Sequence, residues 1–143
     1  MIVASILNTK GREIRHIAAD MKVRDAAKFL KENGIGAAMI LDGAGGPEGV
    51  FSERDVLHAV ADRGSVALSQ AVGELMTRDL ATCGPNDTID SVMATMTDRR
   101  CRHLPVVENG KVVGVVSIGD VVKSRIAEAE TEAEALKAYI ASG

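Results

Sequence analysis

The 143-residue chain has the length of one ordinary domain, or of two half-size units that must share a core because each alone buries too little surface. It is 46% hydrophobic, yet Phe29, Phe51 and Tyr139 are its only aromatic residues, so the expected core is aliphatic and alanine-rich. A formal charge of −3 argues against general nucleic-acid binding, which needs a basic stripe or patch to neutralise phosphates.

Met1 to Leu7 gives way at once to Asn8, Lys10 and Arg12, too short an apolar run for a signal peptide or membrane span, so a cytoplasmic protein without membrane attachment is expected. Asp20 precedes Val23, Ala26, Ala27 and Leu30, whose spacing makes one helix face, and Asn33-Gly34 supplies the stop. Ala37 to Leu41 is too brief for an independent helix and reads as a strand, turned by Asp42-Gly43-Ala44-Gly45-Gly46 into a second short strand. Ser52 then opens a helix through Val56, Leu57 and Val60. The pattern begins again near Pro85-Asn86-Asp87, with a helix carrying Ile89, Val92, Met93 and Met96. Leu104 to Val107 and Val112 to Val116 flank Asn109-Gly110, a strong hairpin signal, and Ser117 opens a helix through Val121, Val122 and Ile126. Val122, Ile126, Ala129, Ala133, Leu136 and Ile140 continue a single helical stripe between acidic faces. So short and alanine-rich a stripe is expected to pack against its own domain, with bracing of a dimer as the alternative.

The order helix, strand, strand, helix, after an extended lead-in, thus occurs twice. Gly49-Val50-Phe51-Ser52-Glu53-Arg54-Asp55 returns 65 positions later as Gly114-Val115-Val116-Ser117-Ile118-Gly119-Asp120, keeping Gly, Ser and Asp at fixed offsets. Val3 to Leu7 aligns with Val72 to Met76, and Ile35 to Leu41 with Cys101 to Val107. Ser followed three residues later by an acid, just before an apolar helix, reads first as a capping box. A helix start also offers unpaired N–H groups to an anion, so capping and binding can coexist.

These repeated motifs, each preceded by an apolar strand pair, make the chain resemble the tandem regulatory domains named after cystathionine β-synthase, CBS domains, whose paired form is the Bateman module. The resemblance covers about residues 1 to 126 and implies an α+β fold with pseudo-two-fold symmetry, each copy a short sheet packed with two helices. The domains are expected at 1–66 and 67–126, followed by a helical tail at 127–143. The family further implies clefts for adenosine nucleotides, in which the motif Asp holds ribose hydroxyls and the motif Ser lies near ribose and phosphate. Carried over, these roles fall on Asp55 with Ser52 and on Asp120 with Ser117. Adenine contacts fall on the lead-in and first strand of each copy: Ile17 with Ala38 in one, and Thr82 and Cys83 with His103, Leu104 and Pro105 in the other. Arg102, within the cluster Arg99, Arg100, Arg102 and His103, is the phosphate candidate of the second cleft. Arg54, with Lys10 and Arg12, is the weaker counterpart for the first.

Competing motifs are incomplete. The glycines from Gly43 to Gly46 lead into a strand, where a dinucleotide-binding fingerprint would lead into a helix. Ser117-Ile118-Gly119 lacks the first glycine of a nucleophile elbow, and His16, His58 and His103 have no ligand spacing. No enzymatic activity, catalytic cofactor or metal is therefore expected. Cys83 and Cys101 are expected as free thiols. The chain reads as a stand-alone sensor of an adenine nucleotide, AMP first, with ADP, ATP or NAD(H) as alternatives. It is expected to form a homodimer and to signal to a separate regulated protein. A constitutive interaction or dimerisation scaffold without a nucleotide is the competing reading.

Overall fold

The computed structural model describes residues 1–142. The chain runs α1 (Val3–Lys10), α2 (Val23–Asn33), β1 (Ala37–Leu41), β2 (Pro47–Ser52), α3 (Glu53–Arg63), a 3-10 turn (Gly64–Ser69), α4 (Val72–Leu75), α5 (Ile89–Arg99), β3 (His103–Glu108), β4 (Lys111–Ser117) and α6 (Ile118–Ser142). This is the α+β order expected from the sequence, given twice. The aligned segments Val3 to Leu7 and Val72 to Met76 both fold as short helices, and extended lead-in backbone is confined to a few residues beside each first strand.

Local chemistry accounts for the boundaries. Val23, Ala26 and Leu30 of α2 are buried, and the helix ends where Gly34 turns left-handed at φ 62°, its N–H donating to the carbonyls of Leu30 and Lys31. No side chain caps the start of α2; the Gln70 carbonyl accepts from Val23 N–H instead. Helix α5 begins one step beyond the Pro85-Asn86-Asp87 turn, where the Thr88 hydroxyl accepts from Ser91 N–H at 3.1 Å. Its left-handed terminal residue is Arg100, at φ 52°.

Strands β1 and β2 pair antiparallel, with Ala38 opposite Phe51 and Met39 opposite Val50. The Asp42 carboxylate turns the connecting loop by accepting from Ala44 N–H and Gly46 N–H, so the glycine-rich segment is a hairpin turn. Strands β3 and β4 form the other two-stranded sheet, joined by Asn109-Gly110, both at positive φ as a tight hairpin requires.

The chain divides into two compact units whose boundaries differ from those of the sequence copies. The α2–α3 unit comprises Glu13–Leu80 with Val107–Val113. Its core gathers Ile17, Val23, Ala26, Leu30, Ala38, Ile40, Phe51, Val72 and Met76, with Phe51 as the one aromatic ring among otherwise aliphatic and methionine side chains. The α5–α6 unit comprises Met1–Arg12, Ala81–Val106 and the chain from Gly114 onward. Each unit therefore holds the short helix that the sequence alignment assigns to the other copy.

The motif glycines explain this exchange. A Cβ on Gly49 would lie 2.6 Å from the Met76 sulfur, and one on Gly114 would lie 2.7 Å from Leu7 Cδ2. Met76 and Leu7 are aligned positions, so each glycine admits the equivalent short helix against its strand. Helix α6 continues without a break into the C-terminal segment. Its first turns meet α5 and α1 and bury Val121, but the expected packing of the stripe against its own domain is not seen: Val122, Ile126, Leu136 and Ile140 are 42 to 67% exposed.

Candidate ligand-binding sites

Both motif serines cap their helices. Ser52 N–H donates to Asp55 Oδ2 at 2.9 Å while Asp55 N–H donates back to Ser52 Oγ at 3.2 Å. Ser117 and Asp120 repeat the pair at 2.9 and 3.1 Å. In each unit the first helical N–H also reaches the residue before the first strand, Glu53 to the Gly36 carbonyl and Ile118 to the Arg102 carbonyl. These bonds fix the carboxylate at the start of the helix, next to the strand expected to face the ligand.

The lead-ins complete each arrangement. Ile17 N–H donates to the Met39 carbonyl, and Cys83 N–H to the Pro105 carbonyl, so each runs parallel beside its first strand. Ile17 and Ala38 are buried in one unit; Cys83, Leu104 and Pro105 are buried in the other. Arg54, Thr82, Arg102 and His103 are exposed. The structure thus gathers Ile17, Ala38, Ser52 and Asp55 within the α2–α3 unit, with Arg54 on the first turn of α3. It gathers Thr82, Cys83, Arg102, His103, Leu104, Pro105, Ser117 and Asp120 within the α5–α6 unit.

One polar partner, Thr77, escaped the sequence reading, and a second, Lys10, lies elsewhere than expected. Thr77 Oγ1 donates to Asp55 Oδ1 at 3.2 Å, and Thr77 N–H donates to the Val50 carbonyl at 2.9 Å. In the α5–α6 unit the Lys10 ammonium reaches the other motif carboxylate, at the cap oxygen Asp120 Oδ2, and the Val115 carbonyl that corresponds to that of Val50, at 2.6 and 2.9 Å. Lys10 was expected at the first copy's phosphate end. It lies instead on the second copy's carboxylate, because α1 packs in the α5–α6 unit. The only advance signal was the alignment of Val3 to Leu7 with Val72 to Met76: Lys10 ends α1 three residues past that segment, and Thr77 follows its counterpart directly.

Electrostatics distinguish the units. Burial works to raise the Asp120 pKa, but the hydrogen bond from Lys10, with those from Ser117, outweighs it and holds the carboxyl below its ordinary value. His103 keeps part of its surface exposed, yet the atoms packed around its ring partly desolvate it and lower its pKa; Lys10 and Arg102 add to that effect, and Asp120 opposes it. Burial, reinforced by Asp87, pushes the Cys83 thiol up to about 12. Among the described residues no three His, Cys, Asp or Glu side chains gather in a metal-ligating group, and no helix is long and apolar enough to cross a membrane.

The same duplicated pattern recurs in known proteins. The CBS domain family model matches residues 3–62 and 72–127. The mitochondrial CBS domain-containing protein CBSX3 of Arabidopsis thaliana is 32% identical over 149 residues, spanning 99% of this chain and 72% of the relative. A CBS-domain-containing protein of Agrobacterium tumefaciens has a solved structure with 42% identity and a TM-score of 0.83, covering 87% of this chain and 92% of its own. The CBS domain pair of protein MJ0100, solved in complex with 5′-methylthioadenosine and S-adenosyl-L-methionine, shares 25% identity at a TM-score of 0.71, over 86% of this chain and 98% of that one. With two matched domains filling most of its length, the chain belongs to the CBS-domain family as a tandem CBS pair.

Proposed function

We propose that this CBS pair is a regulatory sensor of an adenine nucleotide, with AMP as the first choice and ADP, ATP or NAD(H) as alternatives. The observation that carries the reading is the pair of carboxylates, Asp55 and Asp120, each fixed at a helix start beside a buried apolar strand and lead-in. A carboxylate so held can accept both hydroxyls of a ribose, and apolar lining beside it suits the adenine ring. The adenosine-type ligands of the MJ0100 pair support the same ligand class.

The proposed output is conformational, not catalytic. Ligand shifts the protein only as far as it binds one state more tightly than another, and a separate regulated protein reads the result. The exposed apolar stripe of α6 supports association into a homodimer. The proposed compartment is the cytoplasm, where the free thiols Cys83 and Cys101 persist, although the Arabidopsis relative is named mitochondrial.

Isothermal titration of ligand-stripped protein with AMP tests the proposal. Binding to the wild type that falls at least tenfold in Asp55→Asn combined with Asp120→Asn is the expected result. Undiminished binding in the double variant would remove the ribose assignment, and absence of binding by the wild type to any adenine nucleotide would favour an interaction scaffold.

A further inference from the structure

The two motif carboxylates are met by different kinds of partner. In the α2–α3 unit, Thr77 bonds the Val50 carbonyl through its backbone N–H and Asp55 through its hydroxyl. Val50 and Thr77 also exchange a second backbone bond, Val50 N–H to the Thr77 carbonyl at 3.0 Å, so this partner is fixed and uncharged. In the α5–α6 unit the Val115 carbonyl, which corresponds to that of Val50, and the motif carboxylate both receive one ammonium at the end of the long Lys10 side chain, here at Oδ2, the oxygen that also accepts Ser117 N–H. That partner is charged, sits on a flexible side chain at the end of α1, and is 37% exposed.

We propose that Lys10 makes the α5–α6 site selective for phosphorylated nucleosides, a role that rests on Asp120 being the ribose ligand. A ribose diol that spans both carboxylate oxygens of Asp120 competes with the ammonium at Oδ2. A partly exposed ion pair is weak enough to be displaced, and the released ammonium then has four flexible methylenes over which to turn. A ligand phosphate gives that charge a new partner, alongside Arg102 and His103 at the start of β3. An uncharged nucleoside displaces Lys10 without replacing its counter-charge, and so binds more weakly. At Asp55 the partner is neutral and fixed, so the same exchange does not arise.

The decisive comparison uses the full chain carrying Asp55→Asn, which leaves the α5–α6 site as the one being read. AMP and adenosine are titrated calorimetrically into this protein and into forms adding Lys10→Met or Lys10→Arg, with folding checked by circular dichroism and thermal midpoint. The expected result is AMP at least tenfold tighter than adenosine when Lys10 is present. In Lys10→Met that ratio collapses toward one, through weaker AMP binding and adenosine binding that is unchanged or improved; Lys10→Arg keeps the preference. Equal weakening of both ligands, or an unchanged ratio, in a folded Lys10→Met protein would overturn the role of Lys10 while leaving nucleotide sensing intact. Failure of the Asp55→Asn protein to bind either ligand would instead overturn the assignment of a nucleotide site to Asp120, and the selectivity with it.

Discussion

In the proposed function Asp55 and Asp120 carry two duties at once, since the carboxylate that would accept ribose also accepts the N–H of its own helix cap. Removing Ser52 or Ser117 therefore separates them: Ser52→Ala should lower stability by about 1 kcal/mol in urea unfolding, the usual cost of a lost cap, while leaving the carboxylate able to accept ribose. Acid titration reads the Lys10 bond. Because the folded Asp120 pKa is depressed, its stabilising contribution is fully present above the ordinary aspartate range and is lost as pH falls through the lowered value. Lys10→Met should shrink that acid-dependent loss in a series of urea melts from pH 5 downward. The thiols should also divide: Cys83, buried and raised to about 12, should resist iodoacetamide in the folded protein, while the more accessible Cys101 reacts first. The carboxylates were legible in the sequence because Ser and Asp recur at fixed offsets within one short motif. Lys10 was not, since its bonds to Val115 and Asp120 span 105 and 110 positions and no local pattern encodes them.

Helices and strands were legible wherever a boundary depends on nearby residues. Asn109-Gly110 supplies the two positive φ angles of its hairpin, and Gly34 ends α2 by the expected left-handed turn. The equivalent end of α5 uses Arg100, for which the left-handed conformation is costly, so Arg100→Gly should raise stability by roughly 0.5–1 kcal/mol in thermal or urea unfolding. The opposite change applies at the motif glycine. In Gly49→Ala the new Cβ would meet the Met76 sulfur at 2.6 Å and the Thr77 carbonyl at 3.1 Å, and the resulting overpacking should cost about 1–3 kcal/mol. Repetition exposed Gly49 and Gly114 as special positions, but their reason is tertiary: each faces a short helix that the sequence aligns with the other copy.

At the scale of the whole molecule, duplication was the legible feature, whereas the membership of the compact units depends on packing between distant segments. The fate of α6 also escaped local reasoning. Its apolar periodicity is real, but Val122, Ile126, Leu136 and Ile140 remain exposed over a long helix, which is the basis for proposing that a second copy covers them. Sedimentation of Ile126→Glu combined with Leu136→Glu should show a monomer where the wild type shows a dimer. Thermal unfolding of ligand-stripped protein with and without AMP reads the proposed adenine-nucleotide ligand itself. AMP should raise stability by about 2.7 kcal/mol at roughly 100 times the dissociation constant, and the rise should vanish when Asp55→Asn and Asp120→Asn are combined. An unfolding temperature that AMP, ADP, ATP and NADH all leave unchanged would contradict the proposed nucleotide sensing.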